Sequence, residues 1–327
     1  MGTIRIATFN LENLDDGQPG GPSLAARIAI MRPQLLRVNA DILCLQEVHS
    51  QGAPSARTLA ALDAMLSGTP YETFHRESTR TMDGLLYDVR NVVTLCRFPI
   101  VNKRIIRDSD GPRPRYQAAT ANPPDQTADF LSWERPMLYT QIDLGIHKTL
   151  HVINAHLKSK IATSIAGQKI NDYTWRTVSA WAEGSFISAM KRVGQALQLR
   201  MEIDKIFDAD GIDALIVVCG DFNAEAREVE MKAICGPVEE TGNLEHGPRL
   251  MVPCENNIPE SSRYSLIHLG RGEMIDHVIA SRGFIRYFHH AEVHNEALPD
   301  ESGAFRQDVQ FPESDHAPVV AEFHVQN

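Results

Sequence analysis

Six short segments of this chain each set polar side chains at the end of an apolar run. They are Thr8-Phe9-Asn10-Leu11-Glu12-Asn13, Leu45-Gln46-Glu47-Val48, Asn154-Ala155-His156-Leu157, Gly220-Asp221-Phe222-Asn223, Ile275-Asp276-His277 and Ser314-Asp315-His316. Together they offer carboxylates for a hard cation, amides that orient a ligand and imidazoles that handle protons. Phosphate-ester chemistry needs this set. Each segment alone is weakly specific, whereas the ordered set of six is strong.

Glu47 closes an apolar strand, where a carboxylate is costly unless it is paired or bound to a cation. With Asn10 and Glu12 it supplies oxygen donors, and Mg2+ needs only one or two carboxylates because it keeps several waters. The plain alternatives are a strand-end salt bridge for Glu47 and a surface acid for Glu12. Asp221 and Asn223 follow the most apolar strand, after Gly220, which lets the backbone turn tightly. There an Asp can take or orient the proton of an attacking water, and Asn223 can hold the same water or a phosphate oxygen. The plain alternative is an Asx turn. Asp276 and Asp315-His316 supply a histidine and acids to position it. A lone Asp-His pair is otherwise a surface turn, and His156 alone is more often a satisfied core histidine.

His277 should face away from Asp276, because successive strand residues alternate. His75, His246 and His294 show no partner pattern, and His289-His290 reads as a solvated pair. Arg107, Arg113 and Arg115 read as a solvated face rather than a phosphate clamp. Trp175 and Trp181 read as helix packing rather than a base-stacking platform.

Elements must bring these residues together. Residues 4–9 alternate and read as a strand. Leu24, Ile28, Met31, Leu35 and Val38 mark one helix face, with Pro33 predicting a kink or break near Arg32. Residues 41–45 read as a doubly covered central strand and 56–66 as a helix. Residues 91–96, 137–144, 150–155, 214–219, 275–280 and 318–325 read as further strands. Phe186, Met190, Val193, Leu197 and Met201 mark the packed face of a long helix over 185–207. Residues 107–136, with five prolines, and the polar residues 290–313 read as irregular. The alternation of strands and helices gives the α/β class. Motifs at both ends of the chain must meet in one site, so residues 1–327 are expected to form one domain.

Bulk properties narrow the partners. The chain has 327 residues, 43% hydrophobic and 23% charged, with a net charge of −10. That composition fits a globular protein with a large core. The acidic balance gives no whole-surface attraction to nucleic acid, although a local basic patch stays open. Five cysteines include no CxxC pair, so neither a zinc ribbon nor a redox pair is suggested, and Cys44 and Cys219 read as buried hydrophobes. No apolar run nears the roughly 20 residues of a membrane span. Chemistry begins at Asn10, where a cleaved leader would remove it, so an unexported, cytoplasmic protein is expected.

From Ile4 to Phe323, in order, the six segments resemble the endonuclease/exonuclease/phosphatase superfamily, the deoxyribonuclease I-like fold. The resemblance implies a four-layered α/β sandwich, two packed mixed β-sheets flanked by helices, with the site in a cleft at one edge. It implies that Asn10 and Glu47 associate with the metal, Mg2+ or Mn2+. Asp221 would orient or deprotonate the nucleophilic water, with Asn223 beside it. Asp276 would buttress His316, which contacts phosphate, and Asp315 would be a further metal or water-network acid. His156 matches the second His of branches that hydrolyse ordinary phosphodiesters, sphingomyelin or inositol phosphates; the abasic-site repair branch typically lacks it. Arg135-Pro136 resembles a step in many bacterial members and makes Arg135 a substrate candidate. Glu12 stands where the repair branch has Asp, and the stretches 107–136 and 160–196 exceed a minimal member.

The expected activity is metal-assisted phosphodiester hydrolysis by in-line water attack, with a nuclease acting on DNA or RNA as the first reading. A phosphatase or a phospholipid or inositol-phosphate phosphoesterase, sphingomyelinase-like, is the alternative. A catalytically silent scaffold ranks last because none of the six segments is broken. No protein partner is predicted.

Overall fold

The computed structural model describes residues 2–17, 21–145, 148–303 and 311–325. In chain order the strands and α-helices are β1 (Thr3–Leu14), α1 (Leu24–Val38), β2 (Ile42–Val48), α2 (Ala60–Leu66), β3 (His75–Ser78), β4 (Asn91–Cys96), β5 (Ile100–Ile106), β6 (Arg115–Tyr116), β7 (Asp129–Phe130), β8 (Met137–Asp143), β9 (Thr149–His156), α3 (Val178–Asp210) and β10 (Leu215–Asp221). There follow α4 (Val229–Cys235), α5 (Val238–Thr241), β11 (Met251–Pro253), β12 (Leu266–His268), β13 (Arg271–Glu273), β14 (Asp276–Ser281), α6 (Arg282–Ile285), β15 (Phe288–Val293) and β16 (Val319–His324).

Two mixed six-stranded sheets face one another. The first runs β15-β16-β1-β2-β4-β3 and the second β11-β14-β10-β9-β8-β5. Strand alternation explains the layers. Ile4, Ile6, Ile42, Cys44, Val152, Val217, Cys219 and Val278 point between the sheets into one buried core. Their neighbours Phe9, Leu43 and Leu45 point outward onto Met31 and Leu35 of α1 and Leu62 and Met65 of α2. Ile153, Ile216, Val218 and Ile279 point outward from the second sheet onto α3 and α4, through Leu199, Ile203 and Met231. The result is the four-layered α/β sandwich, helix–sheet–sheet–helix.

Several local expectations change. α1 runs unbroken through Pro33, because Pro33 and Ala29 lie on its exposed side. There the carbonyl freed by the missing proline N–H can meet water. β3 and β5 were not read from the sequence, and the hairpin β6-β7 and the strand β15 enter stretches expected to be irregular. Of the stretch 290–313, residues 304–310 lie outside the described residues. The long helix extends further at both ends and buries a different face. Phe186, Leu197 and Met201 are exposed, whereas Gln195, Ala196, Leu199, Glu202 and Ile203 are buried. Trp175 packs beside Gly184 and the small Ala121–Ile165–Ile187 cluster, whereas Trp181 is half exposed. Arg107 donates to the carbonyls of Arg80 and Thr81, and Arg113 pairs with Asp108, so these side chains stitch loops together. Among the described residues no helix is long and apolar enough to cross a membrane.

Candidate functional site

The site is the polar continuation of the core between the sheets. On β1 the inward positions read Ile4, Ile6, Thr8, Asn10; on β9, Leu150, Val152, Asn154, His156; on β10, Leu215, Val217, Cys219, Asp221. The strands pair in register so that His156, Asp221 and Asp276 stand side by side on β9, β10 and β14. Beneath them lies a buried polar layer. Gln46 donates to Asn154 Oδ1 at 2.7 Å, Thr8 pairs with Gln46, and Asn154 donates to the Val93 carbonyl at 2.9 Å. This layer satisfies the buried amides and ties the sheets together just below the cleft.

Alternation would turn Glu47 outward, away from the cleft. Its backbone instead adopts φ 59°, the left-handed region that non-glycine residues rarely occupy. Glu12, Asn13 and Asn223 share this conformation. Such local strain persists only where the surroundings hold it, and it gathers at functional sites. Here the Asn13 N–H donates to Glu47 Oε2 at 3.0 Å, and the Glu12 N–H to Asn10 Oδ1 at 2.9 Å. Gly220 is required: a Cβ there would lie 1.8 Å from the Ala155 carbonyl oxygen.

One flank is a paired network. His316 donates from Nδ1 to Asp276 Oδ2 at 2.7 Å, and its Nε2 faces Asp221 Oδ2 and Asp315 Oδ1, each at 3.9 Å. Burial would lower the His316 pKa, but Asp276, Asp221 and Asp315 outweigh it and raise it well above the ordinary value. Burial would raise Asp221, yet His316, His156 and the Asn223 N–H hold it well below the usual range. Asn10 donates to Asp221 Oδ2 at 3.0 Å. His156 Nε2 lies 3.3 Å from Asp221, 3.5 Å from Glu47 Oε1 and 2.5 Å from the Arg135 guanidinium. Burial and Arg135 lower the His156 pKa, so this imidazole is neutral where His316 is charged. Donor-type atoms of Asp221, Asp276 and His316 lie within 4.8 Å of one another. A charged His316 presents N–H groups there rather than lone pairs, so the trio reads as a hydrogen-bonded relay rather than a ligand set.

The other flank has surplus negative charge. Glu12 Oε2 accepts the Asp315 N–H at 3.1 Å, and the two carboxyls crowd each other. Burial and then Asp315 push Glu12 up to about 8. Burial, with Glu47 and other acids, pushes Asp315 up to about 6, against the pull of His316. Asp315 Oδ1 is buried without a hydrogen-bond partner, as is Asp276 Oδ1 on the first flank. Buried Arg27 of α1 spends its guanidinium on the carbonyls of Leu11 and Glu12 and leaves the carboxylates unpaired. For Glu47, burial works upward, but His156, Arg135, Arg90 and His316 keep it ionised below its usual range. Hard oxygen donors, a buried carboxylate oxygen without a hydrogen bond and two acids whose pKa burial and neighbouring acids raise fit a divalent Mg2+ or Mn2+ ion.

A third group was not read from the sequence. Arg90 precedes β4, whose Asn91 pairs with Val48, so it stands beside the Glu47 strand end. It is exposed, has φ 57° and makes no hydrogen bond or ion pair among the described residues. Lys158 is buried, and its ammonium donates to Ser159 Oγ and the Ile161 carbonyl. Burial, then repulsion from Arg135, Lys191 and Arg90, brings it down to about 8. Ser265 and Ser314 were also missed as supports. Ser265 Oγ takes the Asp276 N–H, and Ser314 Oγ donates to the Asn10 carbonyl. Arg27 had a legible signal: a charge on the apolar stripe of α1.

The two facing sheets and the cleft at their edge define the class of fold, and the sequence comparison names the family. The profile of the Endonuclease/Exonuclease/phosphatase family matches residues 7–316, and the chain belongs to that family, whose members are typically metal-dependent phosphoester hydrolases. No curated protein matches it. Among solved structures, a family protein from Bacteroides vulgatus aligns at 17% identity and TM-score 0.57, with both chains fully covered. Truncated Caenorhabditis elegans TDP2 aligns at 16% identity and TM-score 0.56, covering 99% of this chain and 98% of that one. A family protein from Beutenbergia cavernae aligns at 14% identity and TM-score 0.56, covering 100% and 72%. These likenesses establish the fold.

Proposed function

We propose that residues 1–327 form one domain that hydrolyses phosphodiester bonds with Mg2+ or Mn2+, and that its substrate is a nucleic-acid backbone, DNA or RNA. The observation that carries this reading is the row His156–Asp221–Asp276 capped by His316 and faced by Glu47. It combines a charged donor, a neutral imidazole and ionised carboxylates in one cleft.

Glu47, with Asn10, Glu12 and Asp315 around it, would hold the metal. When bound, the metal supplies positive charge that polarises a phosphoryl oxygen and stabilises the leaving oxygen. Asp221 accepts a hydrogen bond from the attacking water and fixes its line of approach. Its depressed pKa makes it a weak base, so orientation outweighs proton abstraction. Asn223 flanks that water. His316, charged and braced by Asp276, donates from Nε2 to a non-bridging phosphoryl oxygen. His156 and Arg135 face the opposite side of the same phosphate.

Arg90, Arg135 and Lys158 favour a polyanion over a lone phosphate ester. Three cations that repel one another beside the cleft are better accommodated by added negative charge. This also answers the acidic whole-chain balance, because the basic residues cluster where the backbone would lie.

The test is hydrolysis of plasmid DNA, single-stranded DNA, RNA, nitrophenyl phosphate and the bis-nitrophenyl diester, with Mg2+, Mn2+ or EDTA. Metal-dependent cleavage of nucleic acid and of the diester is expected. Activity on the monoester alone would replace this reading with a phosphatase, and activity on sphingomyelin or inositol phosphates with the phospholipid or inositol-phosphate class.

A further inference from the structure

Away from the cleft, the edge of the first sheet carries an imidazole cluster built by a strand irregularity. Phe288 opposes Phe323 with its ring in the core, and regular alternation would turn His289 outward and His290 inward. The register shifts between Phe288 and His290, so that His290 opposes Glu322. A bulge of this kind aims two consecutive side chains at one face. On β16, Glu322 and His324 flank the buried Phe323 and therefore share the outer face. His289 Nδ1 and His290 Nδ1 approach to 2.8 Å, and they lie 3.7 and 4.0 Å from Glu322 Oε1. His324 Nε2 is 3.0 Å from the same oxygen, with its ring stacked on His289 at 4.1 Å. The other carboxylate oxygen, Oε2, is held by Arg5 at 3.0 Å, which fixes the orientation of Oε1.

We propose that His289, His290 and Glu322 form a surface site for a late first-row divalent cation, Zn2+ before others, with His324 as an auxiliary donor. Two imidazole nitrogens and a carboxylate oxygen suit such an ion, and an oxygen-preferring Mg2+ does not compete for them. Zn–N bonds of about 2.0–2.1 Å place neighbouring tetrahedral donors about 3.3 Å apart. The three separations bracket that value. The two rings share a hydrogen bond between their Nδ1 atoms, and on losing that proton both lone pairs can turn to one cation. Arg5 braces the carboxylate, as outer partners of metal ligands do. The bound ion would pin β15, an edge strand, to β16.

The test counts zinc bound by the full chain in equilibrium dialysis under excess Mg2+. The wild type should hold one zinc that His289→Ala and His290→Ala each weaken by at least about tenfold. Glu47→Gln should keep it. Cobalt should give the visible absorption of a four-coordinate ion in the wild type and not in His290→Ala. Both histidines are surface positions, so unfolding temperatures without zinc should match the wild type. Mg2+-dependent hydrolysis should be unaltered in His290→Ala. Wild-type zinc affinity in both histidine variants, or zinc lost only in Glu47→Gln, would overturn the assignment.

Discussion

On the β9-β10-β14 side of the cleft, each carboxyl group meets an imidazole. Asp276 meets His316, and Asp221 meets both His156 and His316. On the β1 side, Glu12 and Asp315 meet each other, and the nearby Arg27 is turned to backbone carbonyls. The first side pairs its acids with imidazoles, and Asp221 is held ionised before substrate arrives. The second sets acid against acid, a charge that the proposed metal would offset. Preorganised charge and a vacant demand for charge are different devices, and they should fail in different ways when altered.

The paired side should show the largest loss. Asp221→Asn and His316→Gln each remove a group positioned at the reacting phosphate, and such groups contribute about 10²–10⁴ in rate. The expected result is a fall in kcat of that order, unchanged by added metal, with the unfolding temperature close to wild type. Near-native kcat in either variant would show that this side is scaffolding.

The acidic side should instead fail through the metal. Glu47→Gln leaves Asp221, Asp276 and His316 in place and removes one anionic oxygen from the proposed metal site. Half-maximal Mg2+ for hydrolysis should rise by at least about tenfold, with partial recovery at high Mg2+. If added Mg2+ restores nothing, the division between the two sides is wrong.

Proton linkage separates them again. The folded chain holds protons on Glu12 and Asp315, near 8 and 6, that the unfolded chain releases near 4.5 and 3.8. Between those limits the folded state binds more protons, so stability falls as pH rises. In EDTA the unfolding temperature should decline from pH 5.5 to 8.5. Saturating Mg2+ should flatten or reverse that slope, and Glu12→Gln should reduce it without metal. A slope of the same sign and size with and without Mg2+ would refute a metal-completed acidic flank.

Much of this contrast was legible in the sequence, because a polar residue ending an apolar run marks the rim of a buried sheet. Asn10, Glu47, His156, Asp221, Asp276 and His316 all sit at such ends. The inward parity of β1, β9 and β10 carries from core to cleft without interruption. What was not legible depends on partners distant in sequence. The apolar row Phe186, Met190, Val193, Leu197 and Met201 suggested the wrong face of α3. That helix covers loops whose backbone groups need polar company. Gln195 accepts the Lys158 N–H, and Glu183 accepts those of Ala119 and Thr120. Burying polar side chains there satisfies the loops, and Phe186, Leu197 and Met201 are left at the surface. Arg90 was invisible for a similar reason: an arginine in a loop carries no signal until the β2-β4 pairing sets it beside Glu47.

That cation rim supplies the smallest and most discriminating prediction. Each phosphate neutralised by a basic side chain releases counterions and steepens the salt dependence by about 0.7–0.9. Arg90→Gln should therefore lower the salt slope of nucleic-acid cleavage by roughly one. It should also reduce the ratio of kcat/KM for an oligonucleotide to that for the bis-nitrophenyl diester by a few-fold, chiefly through KM. Lys158→Gln should act in the same direction. It is buried and close to His156, so some of its loss should fall on the small diester too. If Arg90→Gln depresses both substrates equally, the arginine serves the scissile phosphate itself, and the preference for a polyanion loses its support. If it changes neither substrate, the surplus positive charge at the rim is solvated, and the contrast between the two flanks alone describes the cleft.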